Sequence, residues 1–158
     1  MKFTQDFDRM MRQEFPDLIA NLIFRDDNGV YQVFDRYKIV PEILGYRVYC
    51  SATDVGSFLS TKNALSWCIA DKYKSYNTAR EILKLDNKLT SLTADISARA
   101  TLADRSKNPI FRETIETKLE SKIIRKKEVE AKLTNCVNWA KHIQARNFAI
   151  DKNKKKAK

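Results

Sequence analysis

The sequence predicts an α+β protein: a small antiparallel β-meander of three or four strands with an N-terminal helix, followed by a long antiparallel helical hairpin. Three observations carry this. All three glycines, Gly29, Gly45 and Gly56, lie between residues 29 and 56, so the last 102 residues contain none and only one proline, Pro109. Glycine serves sharp turns and positive φ, and so long a stretch without it leaves helix as the natural conformation. The glycine-bearing region is rich in the β-branched and aromatic residues that suit strands. Beyond it, apolar residues recur in alternating steps of three and four, the mark of a heptad seam.

Phe3, Phe7, Met10 or Met11, and Phe15 stand at helical spacing with Pro16 as a stop, which predicts the short N-terminal helix. The apolar run Leu18–Phe24 leads to Asn28-Gly29, a strong hairpin signal, and Val30–Ile39 supplies the returning strand. Turns are expected at Pro41–Gly45 and Ser51–Gly56, flanking a strand over Tyr46–Cys50, and Phe58-Leu59 closes a short fourth strand. Ser60 or Thr61 then caps a helix N-terminus.

A helix is predicted over 62–105, with Ile82, Leu85, Leu89, Leu92, Ile96 and Ala103 on one seam and Arg99 out of character among them. Thr78 with Glu81 forms a capping box at which a break in Ser75–Thr78 would fall. Ser106–Pro109 ends that helix and opens the next, with Asn108 as N-cap and Pro109 in the first helical position. The second helix is expected over 110–148, with Ile115, Leu119, Val129, Leu133, Val137 and Ala140 on one face. The short connection folds the two antiparallel and pairs positions whose numbers add to about 215, so that Leu85 faces Val129 and Ile82 faces Leu133. The organisation is then 1–60, helix and sheet; 61–150, a hairpin packed on or extending from the sheet; and 151–158, a Lys-rich tail too polar to fold.

Net charge is +10, unevenly spread. Residues 1–60 carry −2, residues 61–109 carry +4 and residues 110–158 carry +8. The positive helices would attract polyanions or an acidic protein surface. Part of the excess follows from a Lys-, Asn- and Ile-rich composition of the kind AT-rich genomes produce, including those of many bacteria and phages. The N-terminal residues place acids where a signal peptide needs an apolar run, and no segment approaches the roughly 20 apolar residues of a membrane span. Cys50, Cys68 and Cys136 form no CxxC pair and suit free thiols in a reducing, cytoplasmic compartment.

Candidate chemistry is sparse. The single histidine, His142, has no acid, Cys or His at metal-ligand spacing beyond Cys136 on another side of the helix, and no zinc site is predicted. There is no Gly-rich phosphate loop, HExxH or nucleophile elbow. Glu113, Glu116 and Glu120 share one helix side among lysines and arginines, and read as a solvated face. No catalytic, cofactor or metal residue is therefore assigned. The basic cluster is the exception: Lys118, Lys122, Arg125 and Lys126 adjoin the seam, and Lys122 and Lys126 share its face, so the helices must part here, the lysines must snorkel, or something anionic must approach. Lys154, Lys155 and Lys156 add an unspecific electrostatic contact.

The junction Gly56-Ser57-Phe58-Leu59-Ser60-Thr61, with Ala64 before Trp67, resembles the phage-integrase arm-binding domain, a three-stranded sheet ending in a glycine, an aromatic, a capping hydroxyl and a helix. The resemblance runs from Asn28-Gly29 to Trp67 and implies similarity of shape. In that family basic strand residues enter the DNA groove. Here Arg25, Arg36, Lys38 and Arg47 are matched by Asp26, Asp27, Asp35 and Glu42, so the DNA-binding role is not carried over.

The sequence thus points to a non-enzymatic interaction or assembly protein of a phage or bacterial kind, acting through its hairpin. Trp139, Ile124 and Ile143 fall off the main seam and need cover, which a homodimer would supply; an acidic protein is a second partner class. The alternative is a nucleic-acid-binding protein using the basic helices and tail, for which binding is expected to be weak. No membrane partner is expected.

Overall fold

Alternation of apolar and polar residues builds the sheet. The computed structural model describes residues 13, 23–25 and 28–156, with side chains from 28 to 147. The helix expected between Phe3 and Phe15 lies, apart from Gln13, outside the described residues. Five strands run antiparallel in chain order: β1 Ile23–Arg25, β2 Tyr31–Val33, β3 Tyr37–Glu42, β4 Gly45–Cys50 and β5 Thr53–Phe58. In β2 and β3 the buried residues Tyr31, Val33, Tyr37 and Ile39 alternate with more exposed Gln32 and Lys38, the period of two that one covered face demands. Register puts Ile39 opposite Val48 and Tyr37 opposite Cys50, extending the covered face across β4.

The meander is as expected, but it has five strands where three or four were predicted. The segment Val30–Ile39 is two strands, because Phe34 and Asp35 take positive φ (56° and 58°) and the Arg36 N–H bonds the Val33 carbonyl at 3.2 Å. No glycine marks this turn. Packing holds it: the Phe34 ring is buried edge-on to Tyr37 and Tyr73, with centroids 6.3 and 6.0 Å away. Gly29 takes φ +80° at the foreseen hairpin. Gly56, expected in a turn, lies within β5 and leaves room for Leu83 of a helix above.

The helices cover one face of this sheet. In α1 (Thr61–Lys72), Ser60 is the N-cap, its Oγ accepting from the Asn63 N–H at 3.1 Å. Every residue from Asn63 to Ala70 is buried, because α1 is sandwiched between the sheet and the later helices. Trp67 meets the Tyr37 ring edge-on at 5.9 Å.

The helix expected over 62–105 is interrupted, and α2 spans Tyr76–Arg105. The break comes earlier than the Thr78 capping box implied. Lys74 takes φ 62°, the Ser75 N–H reaches the Ala70 carbonyl at 2.8 Å, and the Lys74 N–H bonds the Asp71 carbonyl at 3.1 Å. This is a Schellman closure with lysine where glycine is the unstrained choice. Lys74→Gly is therefore expected to raise stability by about 1 kcal/mol, the left-handed strain relieved less glycine's added entropy cost. Urea unfolding checks this, and a loss of stability would mean that the Lys74 side chain contributes packing of its own.

Asn108 caps α3 (Pro109–Lys156), its Oδ1 accepting from the Ile110 N–H at 3.0 Å, and Pro109 takes the first helical position as expected. The two long helices pack antiparallel. Asp95 and Lys122 form an ion pair across them, two residues from the predicted register. Ile82, Leu85 and Leu92 on α2 share one core with Val129, Leu133 and Ala140 on α3 and with the covered sheet face. At 48 residues α3 is about 72 Å long. It continues through Lys156 rather than stopping near Phe148, since no Gly or Pro follows Pro109, and the backbone of 151–156 is helical where a disordered tail was expected.

Candidate functional site

The predicted basic cluster does not stay together. Lys122 turns to Asp95, which also accepts from Arg99 Nε at 3.1 Å, and Lys126 Nζ lies 3.9 Å from Glu130. Lys122 and Lys126 thus reach out from the apolar seam to carboxylates, the snorkelling that their position required. The two cations hold the Asp95 carboxyl below its ordinary value, Lys122 contributing most. Lys118 and Arg125 remain exposed, while Lys154, Lys155 and Lys156 lie on the last turns of α3, where only backbone is described. Arg99, the odd member of the seam, is explained by the same triad.

The outer sheet face also neutralises itself. Arg47 of β4 bonds Glu42 at 2.5 Å and Asp54 at 2.9 Å, across β3 and β5, and the Glu42 carboxyl is held low chiefly by that guanidinium. Of the five strand aromatics that could stack bases if exposed, Tyr31, Phe34 and Tyr37 are buried in the core, and Tyr46 and Tyr49 are half-buried.

Two buried polar devices join sheet and helices. The Tyr37 hydroxyl donates to Asp71 Oδ2 of α1 at 2.5 Å, and burial together with this carboxylate pushes the phenol far above its ordinary value. Asp86 of α2 is fully buried; it accepts from the Leu59 N–H at 3.2 Å and from Asn63 Nδ2 at 2.8 Å. Burial raises its carboxyl above 3.8, against the downward pull of those two donors. Asp86 thereby ties the β5–α1 junction to α2, a structural role with no access for a reactant.

Where α1 ends beside α3 an open cleft of about 410 Å³ has formed. One wall is the Schellman turn, Tyr73–Ser75; the other is the α3 stripe Trp139, His142 and Arg146. Trp139 and His142 stack with centroids 5.4 Å apart and planes 29° from parallel. The spacing of three and four on α3 announces a shared stripe, but its opposite wall comes from a turn about 70 residues away, which no local signal could supply. A second hollow of about 260 Å³, with Lys62, Asn63 and Glu130 among its lining residues, is smaller and has no aromatic ring.

Among the described residues no group of three His, Cys, Asp or Glu could hold a metal ion, and no helix is long and apolar enough to cross a membrane. Compared with protein-family models, curated proteins and solved structures, the chain matches none.

Proposed function

We propose that the protein is a non-enzymatic assembly protein whose helical hairpin pairs with a second copy of itself. The observation that carries this is the apolar surface left uncovered toward the hairpin tip: Leu102, Ile110 and Phe111 are 50%, 77% and 49% exposed, and Ile124 is 59% exposed. Of the three residues off the seam, Ile143 packs against the core of its own chain and Trp139 stacks on His142 at the cleft, which leaves Ile124 uncovered. Ile110 and Ile124, fourteen residues apart, fall within about 40° of each other around α3. A patch running from tip to mid-helix lets one surface serve both copies across a two-fold axis. The three cysteines are free, which supports the cytoplasm of a bacterium or phage-infected cell as the setting.

Light scattering at micromolar concentration is expected to give a dimer that persists from low to high salt, because the contact is apolar. Replacing Ile110 and Phe111 together by serine is expected to yield a monomer with unchanged helix content, since both side chains are exposed within the chain. A wild-type monomer, or a double variant that remains dimeric, would sink this reading.

A further inference from the structure

We propose that the cleft between the Schellman turn and α3 binds a nucleotide unit, its base stacked on the Trp139–His142 pair and its phosphate held by Lys74 and Arg146. The volume, about 410 Å³, falls within the range of small-molecule sites. Its lining includes three aromatic rings, from Tyr73, Trp139 and His142, two basic side chains, Lys74 and Arg146, and no carboxylate. That composition selects a ligand both flat and anionic.

The rings and the charge are aligned. Trp139, His142 and Arg146 stand at i, i+3 and i+7 on one stripe of α3, so the guanidinium lies one to two turns beyond the ring pair. Trp139 is 51% exposed, and a large ring held half in solvent against a second ring offers a stacking face to any base. Lys74 and Arg146 enter no ion pair among the described residues, in contrast to Arg47, Arg99, Arg112, Lys122 and Lys126, each of which faces a carboxylate. Lys74 is also the residue kept in a left-handed conformation where glycine would be unstrained. Backbone strain retained on a charged side chain in a cleft wall is the pattern of a functional position. The same base and phosphate are offered by a free mononucleotide and by a single strand, and the open cleft admits either.

The test uses the full chain and tryptophan fluorescence, in which Trp139 reports on the cleft and buried Trp67 supplies a constant background. ATP and a single-stranded twelve-nucleotide DNA are titrated separately, with ribose 5-phosphate as the phosphate without a base. Saturable quenching by ATP or the oligonucleotide is expected, with ribose 5-phosphate weaker by about tenfold or more, the share carried by stacking. Trp139→Leu is expected to weaken binding, read by a fluorescent nucleotide analogue or labelled oligonucleotide, by at least about tenfold. Arg146→Gln and Lys74→Gly should each weaken it severalfold, the latter while stabilising the fold. ATP saturating as tightly as the oligonucleotide assigns a free nucleotide; an oligonucleotide about tenfold tighter, with a steeper salt slope, assigns a strand. No saturation by either probe, binding unchanged in the Trp139→Leu and Arg146→Gln variants, or ribose 5-phosphate binding as tightly as ATP would overturn the proposal. The Ile110→Ser/Phe111→Ser variant should bind as wild type does, because Ile124 and Trp139 are about 22 Å apart along α3, so the cleft and the assembly surface fail or stand separately.

Discussion

Gly45→Val is expected to cost about 4 kcal/mol or more and to leave the sheet partly unpaired. Gly45 opens β4 at φ +150°, and a Cβ placed there would land on the carbonyl oxygen of Phe58 in β5. The strain of that φ in a residue with a side chain is about 1–3 kcal/mol, and the obstacle is backbone, which cannot swing aside as a side chain does. Relief requires β4 and β5 to part at the Tyr46–Phe58 pair, just where β5 delivers the chain to α1. Gly29→Val supplies the contrast. Its φ is +80°, but the nearest atom to an added Cβ is Pro41 Cγ at 4.0 Å, so only strain is expected, about 1–3 kcal/mol. Urea unfolding of the two variants measures the difference, and equal losses would show that the Phe58 carbonyl yields.

Asp86→Ala is the second large effect, about 3–5 kcal/mol. The carboxylate serves two donors from the β5–α1 junction, and its removal strands the Leu59 N–H and the Asn63 amide, each at about 1–3 kcal/mol. Removing Asn63 as well should cost less than the sum of the separate losses, since one stranded donor then disappears. Asp86→Asn keeps an acceptor and should be milder. Its pH dependence has a definite sign. The folded-state value of Asp86 is raised above 3.8, so the stability this group contributes is complete below the unfolded value and is lost as pH rises through the folded one. The advantage of wild type over Asp86→Asn should thus shrink from acid toward neutral pH. An advantage that grows with pH would mean that the hydrogen bonds from Leu59 and Asn63 outweigh burial.

Features set by short stretches of chain were legible in the sequence. Ser60-Thr61 and Asn108 announced two helix starts, Asn28-Gly29 announced a hairpin with Gly29 at positive φ, and the heptad steps announced two antiparallel helices with their buried faces. Each depends on neighbours within a turn or two, where backbone geometry and side-chain type act directly. Tertiary structure decided the rest. The turns at Phe34-Asp35 and Lys74 place ordinary residues at positive φ, a cost that local sequence disfavours and that packing around Phe34 and the Schellman bonds offset. The basic cluster was visible as charge, but Asp95, which takes Lys122 out of it, stands on the other helix. Trp139 could be read only as a residue off the seam and His142 only as a lone histidine, because the Tyr73–Ser75 wall that makes them a cleft arrives from about 70 residues away. Short-range signals fix elements and their ends; the meaning of a side chain between them depends on what the folded chain sets opposite it.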